Sequence, residues 1–271
     1  HNIVINEATG FAYIVGSNQN SGGLHFVNIQ NPLAPVVAGG FSADGYTHDA
    51  QVVVYNGPDV TYQGLEIAFA SNEDTFTIVD VDDKLDPQQI SRTGYAGSSY
   101  AHQGWVTEDH QFFLMNDEFD EQNYAHNTRT YIWNIVDLDI PVFLGYFESS
   151  IAAIDHNNYV KGDSLYQANY RGGLRVLDIS DVANANLTEV GFFDVYPASN
   201  SAQFNGAWSN YPYFASGNII ISSIEDGLFI VKASPVPPCS VDAVTNGGNQ
   251  TACNPATDTY SNDVTVSYTN A

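Results

Sequence analysis

Apolar residues in this chain come in short runs set in a repeating order. The first four runs read HNIVIN, FAYIVGS, GLHFVNI and PVVAGGF, each rich in Val, Ile, Phe or Tyr and each ending near Gly, Asn, Ser or Pro. Branched and aromatic side chains suit the pleated, half-buried face of a sheet, and the turn formers between runs suit hairpins. No stretch of a dozen residues carries an apolar stripe at helical spacing. The third run is the most regular: LHFVNI (24–29), FTIVDV (76–81), TYIWNI (130–135), LRVLDI (174–179) and LFIVKA (228–233).

The whole pattern restarts at His1-Asn2, His48-Asp49, His102-Gln103, His156-Asn157 and Asn205-Gly206, at spacings of 47, 54, 54 and 49 residues. Four short antiparallel strands repeated at about 40–50 residues are the blade of a β-propeller. The chain is therefore predicted to be all-β, with residues 1–232 forming at least five four-stranded blades whose repeats open near 1, 48, 102, 156 and 205. The opening strand of each blade should line a central channel. The last unit shows no fourth strand before Ser234-Pro235-Val236-Pro237-Pro238, and the chain starts directly on an inner strand. The expectation is that His1 is not a natural start and that the blades belong to a larger ring within a longer polypeptide.

Residues 233–238 read as a stiff, proline-rich linker. Beyond it, 239–271 read as the start of a second β module, with Cys239 and Cys253 around a Gly/Asn-rich loop and an alternating DVTVSYT run. Both cysteines of the chain lie there, and one disulfide in an exported protein is the expected use, with a pair of free thiols as the alternative.

Charge narrows the partners. Lys and Arg number 7 against 31 Asp and Glu, a net charge of −24. No basic surface is available for phosphate, so nucleic acid is excluded, and an anionic membrane surface is disfavoured on the same ground. There is no signal peptide and no apolar run of eighteen residues, so direct membrane insertion is not expected. An acidic surface favours solubility and captures calcium readily.

Three histidines, His48, His102 and His156, open successive inner strands, with His1 before them. Imidazoles converging at one level of a narrow channel are a candidate site for a divalent transition metal, with Asp49 as a carboxylate ligand. The same rings could instead hydrogen-bond each blade to its neighbour, or serve as general bases. A second candidate is the acidic stretch 115–123, where Asp117, Glu118, Asp120 and Glu121 offer the hard oxygen ligands of calcium without the spacing of an EF-hand; a solvated acidic loop is the alternative. Arg129 and Arg171, just before third strands, are candidate anchors for an acidic or sugar ligand, or else partners of nearby carboxylates. Trp105 and Trp208, on inner strands, are candidate ligand-binding aromatics, although packing between blades explains most of the aromatic residues. No nucleophile elbow, zincin helix or P-loop is present, and the main domain has no cysteine.

Several long segments, in order, carry a resemblance. GLHFVNIQNPLAPVVAGGFSADGYTHDAQVVVYNGPD, SNEDTFTIVDV, AHQGW, HNTRTYIWNI, IDHNNYVKG and FNGAWSNYPYF resemble the choice-of-anchor B family, whose repeats are related to LVIVD repeats. The resemblance covers about 1–232 and implies a secreted or surface-displayed bacterial β-propeller held by a C-terminal anchor. The tail resembles modules of large surface proteins of Bacteroidetes-type bacteria. The resemblance implies a place and a fold but no particular reaction.

The expected function is thus an extracellular or cell-surface propeller for adhesion or ligand binding. It would be stabilised by calcium, would not be enzymatic, and would engage a surface protein or carbohydrate. A metal-assisted hydrolase or lyase using the channel histidines is the competing expectation, and a structural module of a large surface assembly is a third.

Overall fold

The computed structural model describes residues 1–233, 240–250 and 262–269. The chain divides into two units, His1–Lys232 and Ala233–Ala271. In the first, strands β1 (Asn2–Asn6), β2 (Phe11–Val15), β3 (Leu24–Asn28) and β4 (Val36–Phe41) form blade 1. Blade 2 is β5 (Asp49–Val54), β6 (Glu66–Ser71), β7 (Phe76–Asp80) and β8 (Gln88–Thr93). Blade 3 is β9 (Ala101–Val106), β10 (Phe112–Asp117), β11 (Arg129–Asn134) and β12 (Val142–Glu148), with a short helix α1 (Asp120–Tyr124) between its second and third strands. Blade 4 is β13 (Asn157–Lys161), β14 (Ser164–Ala168), β15 (Leu174–Asp181) and β16 (Asn186–Phe193). Blade 5 has three described strands, β17 (Ala207–Tyr211), β18 (Asn218–Ser223) and β19 (Gly227–Lys232). The fold is a five-bladed, antiparallel β-propeller with almost no helix.

Every blade is a meander, each strand pairing with the next in sequence, and the inner strands pack in the order β1, β5, β9, β13, β17. A bulge recurs where the third strand meets the fourth, at Phe26/Val27, Ile78/Val79, Ile132/Trp133 and Val176/Leu177. An extra residue at that place steepens the twist of each outer hairpin in the same way.

The core is a series of wedges between successive blades. Tyr13, Leu24 and Phe26 of blade 1 pack with Val52, Ala68 and Val79 of blade 2. Phe69, Phe76 and Ile78 pack with Phe113, Met115 and Trp133 of blade 3, the rings of Phe76 and Phe113 stacking at 4.1 Å. Leu114 and Ile132 meet Leu165 and Leu177 of blade 4, and Leu174 meets Ile219 and Ile221 of blade 5. Gly104 on β9 admits the Phe113 ring, since a Cβ there would come within 2.2 Å of it.

The faces at the two ends of this series differ from those inside it. Ile5 on β1 is 52% exposed, whereas Val52, Val106 and Val160 at the same repeat position are 6%, 3% and 2% exposed. On β19, Leu228 and Ile230 are likewise exposed, while their counterparts Leu24 and Phe26 are buried.

The second unit contains β20 (Ser240–Gln250) paired antiparallel with β21 (Asn262–Thr269). Cys239 and Cys253, and with them the disulfide expectation, lie outside the described residues, as does the proline-rich linker from 234 onward. Among the described residues no helix is long and apolar enough to cross a membrane.

Candidate metal centre

The repeat delivers one histidine to the start of the inner strand in each of blades 1 to 4, and the rings follow one another around the channel wall. Ring centroids of His1 and His48 lie 3.9 Å apart, those of His48 and His102 4.0 Å, and those of His102 and His156 4.3 Å. Trp208, 4.6 Å from His156, takes the next step. Blade 5 therefore fills the histidine position with Trp208, three residues beyond the Asn205-Gly206 step read from the sequence.

Each ring is fixed by the neighbouring blade. His1 Nδ1 lies 3.3 Å from the His48 carbonyl oxygen, His48 Nδ1 lies 3.0 Å from that of His102, and His156 Nδ1 bonds that of Trp208. A carbonyl only accepts, so Nδ1 carries the proton and Nε2 keeps its lone pair. His102 keeps the same sense, with the His156 backbone acting on it as an acceptor, but its Nδ1 lacks a partner at full hydrogen-bond geometry. Burial lowers the pKa of His48 and of His156 to about 4 and that of His102 well below the ordinary value. These three rings are neutral bases at pH 7. The inter-blade bonding expected of this ring is compatible with a metal on the opposite nitrogen, because a histidine ligand normally donates its other N–H to a backbone carbonyl or carboxylate.

The Nε2 atoms of His102 and His156 face Glu118, which follows β10. Glu118 Oε2 lies 3.7 Å from His102 Nε2, and Oε1 lies 3.6 Å from His156 Nε2. His48, His102 and Glu118 each offer one ligand atom within 4.8 Å of the others. Ligands at zinc-like bond lengths of about 2.1 Å stand about 3.4 Å apart in a tetrahedron, so this set has to draw together to hold an ion. Tyr170 donates its hydroxyl to Glu118 Oε1 at 2.6 Å and leaves Oε2 toward the histidines. Burial raises the pKa of Glu118 against that hydrogen bond. The rings open on a cavity of about 190 Å³ that Asp49, Asn157, Tyr159 and Trp208 also line. Burial lifts Asp49 to about 7, although Asn2 donates to it at 2.9 Å.

The acidic stretch does not behave as one calcium loop. It is buried rather than solvated, and its residues separate. Asp117 turns to its own blade and accepts from Tyr95 Oη at 2.6 Å, the Ser99 amide at 2.7 Å, the Tyr100 amide at 2.6 Å and the Phe119 amide at 3.4 Å, which fill its four acceptor positions. Glu118 joins the channel. Asp120 and Glu121 enter α1 and meet Asp155, which lies just before β13 and was not singled out in the sequence. The pKa values of all three are raised first by burial, and next by the charge of Asp117 for Asp120, of Asp120 for Glu121 and of Glu121 for Asp155.

Arg129 is held by Glu148 through both Nε and Nη2 at 2.7 Å and lies over the Tyr146 ring. Arg171 donates to Asn205 and Ser201 over the ring of Tyr196. Neither is gathered into the channel cavity. Trp105 packs edge-on to Tyr159 outside the histidine level, whereas Trp208 stands in it, 46% exposed. Asp59, Asp137 and Asp139 also converge, but their oxygens accept from Thr61, Leu138 and Tyr62 and tie blade 2 to blade 3.

No family model and no curated protein matches the chain. Solved structures do match. A protein from Lactobacillus plantarum is similar with a TM-score of 0.59 and 15% identity, over 96% of this chain and 82% of that one. The periplasmic gluconolactonase of Pseudomonas aeruginosa is similar with a TM-score of 0.61 and 10% identity, over 86% and 68%. A β-propeller domain from Myceliophteria thermophila gives 0.51 and 12%, over 83% and 67%. At these identities the likeness is one of fold.

Proposed function

We propose that this is an extracellular propeller of the LVIVD-repeat kind whose channel holds a divalent transition metal on His48, His102 and Glu118 and engages a small, oxygen-rich ligand there. The observation that carries the reading is the convergence of two neutral imidazoles, which line a cavity, with the carboxylate of Glu118. Two histidines and a carboxylate leave a coordination position for water or ligand, the arrangement of hydrolytic zinc sites. When bound, the metal would polarise a carbonyl or activate water. The chain's own part is to hold the three ligands, to place His156 and Tyr170 on the second oxygen of Glu118, and to wall the cavity with Asp49 and Trp208. Metal-assisted hydrolysis of a small ester or lactone is the reaction that suits this set, and the name of the Pseudomonas neighbour, a gluconolactonase, points the same way. Trp208, half-exposed beside the ring, favours a second reading in which the site binds a sugar-like ligand for adhesion without turning it over.

The test is metal analysis with turnover. Wild-type protein loaded with zinc or manganese should retain about one equivalent after desalting, His102→Ala should lose it, and a chelator should abolish hydrolysis of a panel of lactones and esters. Metal retained with no turnover would select the binding reading. No metal retained by wild type would remove both.

A further inference from the structure

A second cavity, of about 270 Å³, lies toward the far ends of the inner strands and takes no part in the proposed metal chemistry. Gln51, Trp105, Glu108, His110 and Tyr213 are in its wall. Trp105 stands about 10 Å along β9 from His102, and Glu108 and His110 follow that strand. Aromatic rings form one side. Trp105 and Tyr213 have centroids 6.4 Å apart and planes inclined by 33°, and Tyr159 braces Trp105 edge-on at 5.0 Å.

Two buried side chains bring free donors to this cavity. Gln51 is 7% exposed and gives its Oε1 to the Val106 amide at 2.7 Å, but its Nε2 has no partner among the described residues. Gln103, on the next inner strand, uses both ends of its amide on the backbone of Asn158. His110 is 8% exposed, and its Nδ1 accepts from the Asn56 amide at 3.2 Å, so Nε2 carries the proton. That N–H also lacks a partner among the described residues. Burial lowers the pKa of His110 and keeps the ring neutral. At the rim, Glu108 accepts from the Gly162 amide through Oε1 at 2.7 Å, which leaves Oε2 as an acceptor.

The backbone at His110 gives an independent indication. Its φ is +54°, in the turn that leads into β10. The turns leading into the second strands of the other four blades have glycine in the left-handed region, at Gly10, Gly64, Gly162 and Gly217. Blade 3 thus keeps an imidazole where the turn favours no side chain, and strain of that kind collects at ligand sites.

Aromatic faces beside unpaired donors suit a ligand with an apolar face and a hydroxylated edge. A cation would suit the rings but not two N–H donors. Glu108 and the net charge of −24 disfavour an acidic ligand. We propose that this mouth of the channel binds one neutral sugar ring against Trp105 and Tyr213, its hydroxyls accepting from Gln51 Nε2 and His110 Nε2 and donating to Glu108 Oε2. The volume is at the small end of the about 300–1,000 Å³ usual for small-molecule sites, which suits a single ring. No ligand of the metal centre takes part, so either site can fail alone.

The experiment is calorimetric titration of the desalted, chelator-treated 271-residue chain with the methyl glycosides of glucose, galactose and mannose, each to tens of millimolar, and separately with choline chloride. At least one glycoside should bind with one equivalent. His110→Gly, which gives blade 3 the glycine of the other turns, should weaken that binding about tenfold in protein that still melts cooperatively. Gln51→Glu, which keeps the acceptor for the Val106 amide and removes the donor, should do the same. Absence of glycoside binding, or binding of choline alone, would overturn the proposal. Binding unchanged in both variants, or seen only after zinc is added, would place the sugar at the histidine ring and overturn it as well.

Discussion

The channel ring and the acid pocket behind it are both crowded with buried titratable groups, yet they are built in opposite ways. In the channel, repetition supplies one imidazole in each of blades 1 to 4, and each ring faces a carbonyl of the next blade. In the pocket, a single departure from the repeat, the residues around α1, meets Asp155 from the following blade, and four oxygens find no donor. The first is a set of neutral bases already satisfied on one side. The second is a set of acids that burial and mutual charge drive to keep protons. Crowding alone does not make a site; the count of donors and acceptors decides what each group of side chains can hold.

The largest effect should come from Asp117, the acid of the same stretch that is fully served. Asp117→Ala strands Tyr95 Oη and the Ser99 and Tyr100 amides, and should destabilise the protein by about 3–5 kcal/mol in chemical denaturation. A loss below about 1 kcal/mol would mean that Asp117 is no better satisfied than its neighbours and would erase the contrast.

Dependence on pH should separate the two regions by sign. His48 has its folded pKa lowered to about 4, chiefly by burial. The folded state therefore binds fewer protons than the unfolded one below the ordinary histidine value, and stability falls as pH drops from about 6.5 toward 4. Between pH 7 and 5 this ring should account for about 2 kcal/mol of that loss, and the loss should shrink by that amount in His48→Gln. The pocket acids have raised folded pKa values, so their folded state holds extra protons, and they lower stability as pH rises above the ordinary carboxylate range. Glu121→Gln, which removes one of these titrations, should flatten the slope above pH 7, where the histidines no longer titrate. Equal slopes in the variant and the wild type would place the high-pH loss elsewhere.

Asp155→Asn should have the smallest effect. It removes a donor-less acid and introduces an amide that can donate, so stability should change by no more than about 1 kcal/mol, in either direction. A loss like that of Asp117→Ala would show that Asp155 already has partners.

What the sequence disclosed follows the same division. Blades, inner strands and the histidine level all repeat, and a repeat is visible as spacing; the third-strand motif alone places five sheets. The residues that depart from the repeat were harder to assign. Glu118 was legible only as part of an acidic run, because its role depends on the turn after β10 bringing it over His102 and His156. Asp155 gave one local signal, an acid directly before a blade's histidine where Thr47 and Ala101 precede the others. Its partners lie 34 and 35 residues upstream, at Glu121 and Asp120, a separation that periodicity cannot reveal. The exchange of histidine for tryptophan at position 208 was hidden for a related reason, since the polar Asn205-Gly206 step imitates a blade opening just ahead of the true one. Arg129 is a simpler case: its attachment to Glu148 follows from the register of β11 on β12, which the sequence alone does not set.

The central claim is that a transition metal sits on the channel ring, and anomalous diffraction at the zinc edge from crystals grown with zinc tests it most directly. The account predicts a peak about 2.1 Å from the imidazole nitrogens of His48 and His102 and from a carboxylate oxygen of Glu118. Density with no peak at that position, or with zinc found only among Asp120, Glu121 and Asp155, would contradict it.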